Sequence, residues 1–237
     1  MENSTTANDA NDQLPDAGLF ATLLAASKKR HEHLCPRQVL GVRMGLFGLR
    51  QLDLLGAAGR PYDNQHKHLL TIMETDGCGA DGVAVATDCQ VGRRTLRIID
   101  FGKMAATFTN TVTEHSIRVT PSEQSREFAT VYAPEARSRW HAYLEAYEIM
   151  PDQLLFDWQP VQLFPSVGEI ISRPGIRVLC TVCGEEIINE REVVRDGRIF
   201  CRSCAGESYY VPLSRTAASQ PRCDWPQFSA KSDGESC

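Results

Sequence analysis

Two Cys-x2-Cys knuckles, Cys180–Cys183 and Cys201–Cys204, stand seventeen residues apart in a chain of 237 residues. No other feature limits the fold as tightly. Each knuckle offers two thiolates from a tight turn, and four sulfurs complete a tetrahedral zinc shell. Between them, Glu192–Arg195, Asp196-Gly197 and Arg198–Phe200 read as a hairpin with an Asp-Gly turn. Cys204–Tyr210 reads as a short helix or turn. A unit this small has little core, so the metal must supply much of its stability. Four sulfurs leave no position for a substrate, which makes this zinc structural. Six arginines (173, 177, 191, 195, 198, 202) meet six acids (185, 186, 190, 192, 196, 207) between Arg173 and Glu207. That balance lacks the basic footprint of a nucleic-acid reader, so contact with another protein is expected instead.

A second cluster lies far upstream, in His31-Glu32-His33-Leu34-Cys35-Pro36. Pro36 suits the first position of a helix. Cys35 then falls at the N-cap, where unpaired N–H groups and the helix dipole favour thiolate. Cys78, in Asp76-Gly77-Cys78-Gly79-Ala80-Asp81, occupies a similar strand-to-helix turn. In an extended segment His31, His33 and Cys35 share one face. With Cys78 they form a ligand set suited to zinc, iron, nickel or copper. Asp81 could orient an imidazole. Lys103 follows a glycine turn and could serve a bound anion or a thiol. For Cys89, core packing and a ligand role stay open.

The remaining sequence frames these motifs. Residues 1–15 are polar and read as a disordered leader without a secretory signal's apolar stretch. Asp16 caps a helix reaching Arg30, and a second runs from Pro36 to about Leu54, interrupted by Gly41, Gly45 and Gly48. Those glycines predict close approach by another helix. His68–Glu74 reads as a strand and Gly82–Cys89 as a short helix. Thr95–Asp100 and Met104–Asn110 read as a hairpin around Phe101-Gly102-Lys103, with Ser116–Thr120 as a further strand. Pro134 opens a helix carrying Trp140, Tyr143 and Tyr147, and Trp158–Arg173 is a connector. The expected fold class is α+β, a mostly antiparallel sheet with flanking helices, over residues 16–165. A zinc-finger domain follows over 166–213, then a disordered tail over 214–237 that makes Cys223 and Cys237 bystanders.

Composition limits the function. A net charge of −5 does not favour nucleic acid or an anionic membrane. No apolar run reaches the length of a membrane span. Nine cysteines, an odd number, four of them at zinc spacing, favour the reducing cytoplasm over a disulfide framework.

In order and spacing, His31-x-His33-x-Cys35-Pro36, Asp76-Gly77-Cys78-x-x-Asp81, Cys89-x-x-Gly92-Arg93 and Asp100-x-Gly102-Lys103 resemble the FmdE family of formylmethanofuran dehydrogenase components. The resemblance covers Phe20 to Thr120, and the four-cysteine module is similar to a finger that some members append. Arg37 stands where the family often has glycine, and Asp88-Cys89-Gln90 replaces its Gly-Cys-Thr. The resemblance implies an α+β core, an intertwined homodimer, cytoplasmic location and association with molybdenum or tungsten oxidoreductases of one-carbon metabolism. The glycine-interrupted helix supports the dimer.

Three functions fit these residues. The first is a metal-binding accessory protein with a structural zinc and a second transition metal in the core. The second is a thiol- or metal-dependent enzyme, with Cys35 as nucleophile or redox thiol, His33 as base and Lys103 as a further candidate. The third is a zinc-finger adaptor or regulator on a dimeric platform. The first is preferred. No nucleotide-binding loop or Ser-His-Asp signature names a substrate.

Overall fold

The computed structural model describes residues 14–55, 59–211 and 213. The expected leader, apart from Leu14 and Pro15, and the expected tail with Cys223 and Cys237 lie outside the described residues. The chain forms two compact units, one ending at Ile171 and one beginning at Ser172. No helix among the described residues is long and apolar enough to cross a membrane.

Helix α1 (Ala17–Lys28) starts where the Asp16 carboxylate accepts the N–H of Leu19 at 2.8 Å. Helix α2 (Pro36–Gln51) is buried without interruption from Gln38 to Leu49. A helix with no solvent face must let its neighbours in, and its glycines do this. Helix α3 (Cys78–Thr87) crosses it so closely that a Cβ on Gly41 would lie 2.3 Å from the carbonyl oxygen of Gly79. A Cβ on Gly82 would lie 2.5 Å from the carbonyl oxygen of Gln38, and one on Gly45 2.7 Å from the Cβ of Ala86. Gly48 faces the Phe108 ring in the same way, at 2.6 Å. The glycine contacts are therefore satisfied inside one chain, and they no longer support a dimer.

The sheet of the first unit has the order β2-β1-β3-β4-β5. Its strands are β1 (Leu69–Met73), β2 (Leu96–Ile98), β3 (Ala106–Asn110), β4 (Ser116–Pro121) and β5 (Phe156–Val161). Only β1 and β2 run parallel, and the other pairs are antiparallel. The expected hairpin of β2 with β3 is not formed, because β1 lies between them. The α3 crossover delivers β2 parallel to β1. The N–H groups of Phe101 and Lys103 then both donate to the Glu74 carbonyl, which carries the chain across the end of β1 to its other side.

Helix α4 (Ser125–Tyr132) was not legible in the sequence. Helix α5 (Arg139–Ile149) begins at its Ser138 cap rather than at Pro134. The short α6 (Asp152–Leu155) leads into β5. The expected connector from Trp158 therefore includes a strand. Pro160 pairs opposite Ile117 on the outermost strand, where a missing N–H costs no ladder bond. A short α7 (Val167–Ile171) ends the unit.

One polar bridge across the sheet sets a pH dependence. Arg118 on β4 reaches over β3 to Glu74, donating from Nε to Oε1 at 2.6 Å and from Nη2 to Oε2 at 2.7 Å. These bonds hold the Glu74 carboxyl below its ordinary value of 4.5, against the opposing effect of burial. A depressed carboxylate stabilises the fold fully above its unfolded value and loses that contribution as pH falls through the folded one. Between about pH 6 and about pH 3, the wild type should therefore lose more stability than Arg118→Met. Urea midpoints measure this, and equal losses would contradict the bridge.

In the second unit, β6 (Arg177–Leu179) pairs with β7 (Glu186–Ile188), and β8 (Val193–Arg195) with β9 (Arg198–Phe200). Asp196 and Gly197 have φ of 49° and 72°, as a two-residue type I′ turn requires. A helical turn, Ser203–Glu207, follows the second knuckle.

Candidate functional site

In the second unit, the Sγ atoms of Cys180, Cys183, Cys201 and Cys204 all lie within 4.8 Å of one another. Cys183 and Cys201 are 3.9 Å apart. A tetrahedron with metal–sulfur bonds of about 2.3 Å has edges of about 3.8 Å, so the four thiols fit zinc. The backbone shapes this pocket. Gly184, at φ 76°, lets its N–H return to the Cys180 carbonyl at 3.0 Å. The N–H of Cys204 donates to the Cys201 sulfur at 3.3 Å. Thr181 is tied to Ile199 of β9 at 2.8 Å, which joins the first knuckle to the second hairpin. Burial pushes the Cys180 thiol up, but backbone N–H donors outweigh it and bring it down to about 6.

The first unit builds its site from the crossing of α2 and α3. Cys35 is the N-cap of α2, and Cys78 is the first residue of α3. Because Gly41 meets Gly79 and Gly82, the two helix starts lie side by side and bring the two thiols near each other. Burial, followed by the hydrogen bond and charge of Cys35, pushes the Cys78 thiol up. Gln38 fixes this corner. Its side chain accepts the Cys35 N–H at 2.9 Å and donates to the Ser27 carbonyl at 2.9 Å, which ties the end of α1 to the start of α2. Asp81, in the first turn of α3, accepts from His31 Nε2 at 2.9 Å and from Arg30 at 3.3 Å. That bond orients the His31 ring.

The other candidates stand apart. The His33 ring faces Trp140, with centroids 6.4 Å apart, and no hydrogen bond joins it to Cys35 among the described residues. Lys103 is exposed and does not line the cavity beside Cys35, although Gly102 and Met104 do. The Lys103 charge adds a small share to the lowering of the Glu74 carboxyl, behind that of Arg118. Among the described residues only the four cysteines of the second unit bring three or more ligand atoms together. The core donors meet in pairs, Cys35 with Cys78 and His31 with Asp81.

Cys89 is a core residue. Its buried sulfur accepts from Asn64 Nδ2 and from Thr71 Oγ1, each at 3.3 Å, and burial pushes the thiol up.

A cavity of about 540 Å³ opens beside Cys35. Helices α4 and α5 supply its far wall through Arg126, Trp140, Tyr143 and Tyr147. From sequence these aromatics are assigned only to packing. Their spacing along one helical face is a signal, but it does not show that α4 would close a pocket over α2.

Residues 30–157 match the family described as FmdE, molybdenum formylmethanofuran dehydrogenase operon. The chain belongs to the FmdE family. Residues 175–210 match the prokaryotic dksA/traR C4-type zinc finger. A probable S-adenosyl-L-methionine-binding protein of Archaeoglobus fulgidus is 30% identical over 213 residues, 81% of this chain and 55% of that protein. The chain thus spans about half the length of this curated relative. A crystal structure of a tungsten formylmethanofuran dehydrogenase FmdE-like protein from Syntrophus aciditrophicus is similar at 22% identity and a TM-score of 0.48, covering 81% of this chain and 95% of that one. An FmdE domain followed by a four-cysteine zinc finger is thus the organisation of this protein.

Proposed function

We propose that this FmdE-family protein is a metal-binding accessory protein with one structural zinc and one transition metal in its core. Cys180, Cys183, Cys201 and Cys204 hold the zinc. Cys35 and Cys78 supply the core thiolates. His31, held by Asp81, is the imidazole nearest the shell, His33 joins it only by turning away from Trp140, and open positions are filled from solvent or from a second copy of the chain. The observation that carries this reading is the approach of two thiols at adjacent helix N-termini, one of them, Cys35, on the wall of the cavity. A thiolate pair is a soft donor set, and an incomplete shell is what a functional metal requires. The family's description refers to a molybdenum dehydrogenase operon. This supports a place beside a molybdenum oxidoreductase or its tungsten counterpart; in this reading the chain works in the cytoplasm as a homodimer.

Elemental analysis of the purified full chain tests the core site. Cys35→Ala should lower total metal while leaving the finger's zinc in place. Equal metal in wild type and variant would overturn the core assignment. Cys183→Ser should do the reverse. The finger depends on its metal for stability, so limited proteolysis should cut the second unit while the first keeps its melting transition. A variant with full zinc and full protease resistance would contradict the ligand set.

A further inference from the structure

We propose that the cavity beside Cys35 binds a small organic anion carrying a flat heteroaromatic ring, of the nucleotide class. The cavity's volume, about 540 Å³, falls within the range of about 300–1,000 Å³ usual for small-molecule sites. Its wall has two chemically distinct parts.

The first part is aromatic. Trp140 of α5 is 41% exposed, although a large ring gains by burial. Tyr143 and Tyr147 lie one and two turns further along and stack, with centroids 5.8 Å apart and planes 7° from parallel. Tyr147 is buried, which fixes the pair, while Trp140 stands at the mouth. A flat ring entering here meets aromatic faces, the preferred surface for heteroaromatic stacking.

The second part is cationic. Arg37 on α2 and Arg126 on α4 both line the cavity, and neither sits in an ion pair among the described residues. Asp76 is the single acid on the wall, so the side chains leave a net positive charge. Guanidinium groups recognise phosphate and carboxylate through paired hydrogen bonds. A ring at the aromatic wall that carries an acidic group uses both parts together. A neutral ring or a bare anion uses only one.

This inference does not require metal at the thiols, and the two can fail separately. Metal content is read by elemental analysis, and ligand binding by calorimetry on the same full-length protein. The probes are adenosine 5′-monophosphate, adenosine, inorganic phosphate and S-adenosylmethionine. Adenosine monophosphate should bind at one site and quench tryptophan fluorescence. Adenosine and phosphate should each bind about tenfold or more weakly, the loss expected for one missing charge-assisted contact. Arg37→Gln with Arg126→Gln should weaken adenosine monophosphate about tenfold or more. Trp140→Ala should weaken it and abolish the quench. All three side chains are exposed, so these variants should keep the wild-type melting transition. No binding of adenosine monophosphate at millimolar concentration would overturn the proposal. So would unchanged affinity in the double-arginine variant. Tighter binding of S-adenosylmethionine, whose sulfonium is cationic, would overturn the anion assignment.

Discussion

Asp152→Ala should destabilise the first unit by about 3–5 kcal/mol, the usual cost of stripping one partner from a buried ion pair. The Asp152 side chain is fully buried and bonds two guanidinium groups. Arg43 Nη2 donates to Oδ1 at 2.7 Å, and Arg50 binds Oδ2. Arg43 is itself fully buried in the middle of α2, and burial lowers its pKa against the opposing pull of Asp152. Arg43 Nη1 also donates to the Tyr147 carbonyl at 2.9 Å and Nη2 to the Met150 carbonyl at 2.6 Å, at the C-terminal end of α5. A cation there satisfies carbonyls that the helix cannot pair itself and meets the negative end of its dipole. Truncating Asp152 leaves two buried or nearly buried cations around a void. Asp152→Asn keeps the volume and one acceptor, so its cost should be smaller. Denaturant titration measures both, and a loss below about 1 kcal/mol for Asp152→Ala would mean that the network carries no more weight than a surface pair. The network also bears on function, because it pins α5 to α2 and α5 carries the aromatic wall of the cavity.

Gly41→Ala should have the second-largest effect. The new methyl group would lie 2.3 Å from a backbone oxygen, and no side-chain rotation relieves such a clash. Helices α2 and α3 must separate, and overpacking of this kind costs about 1–3 kcal/mol, occasionally more. The same separation parts Cys35 from Cys78, so thiol-dependent metal retention in the core should fall together with the melting temperature. Gly92→Ala is the control, since nothing lies within 4 Å of its Cβ position. Equal melting temperatures for Gly41→Ala and Gly92→Ala would contradict the described helix crossing.

What was legible in the sequence follows how local the signals are. The Asp16 cap, the start of α2 at Pro36 and the Asp196-Gly197 turn depend on neighbouring residues, and all three stand where their chemistry predicts. The glycines of α2 announced a close partner but not its identity. That partner is α3 of the same chain, because Gly79 and Gly82 complete the contact from the other side. The β2–β3 hairpin failed for a topological reason. Two short strands around a glycine turn look like a hairpin whether or not a third strand lies between them. Lys103 failed in a similar way, since the turn at Gly102 sets its direction and the motif spacing does not. Arg43 was hidden among the apolar residues of α2, and its burial depends on acceptors more than a hundred residues away, at 147, 150 and 152. The cavity was hidden for the same reason, because its walls come from both ends of the first unit.

The measurement that tests the account most directly is anomalous X-ray scattering from crystals of the full-length protein grown with its native metals. The account predicts two metal positions per chain. One is the finger's zinc. The other lies between the Cys35 and Cys78 sulfurs, at about 2.3 Å from each. A single position at the four-cysteine site, with the Cys35 and Cys78 sulfurs more than about 8 Å apart in every pairing of protomers, excludes a shared ion whose bonds to sulfur are about 2.3 Å. That result would contradict the core metal site and leave the zinc finger as the protein's metal centre.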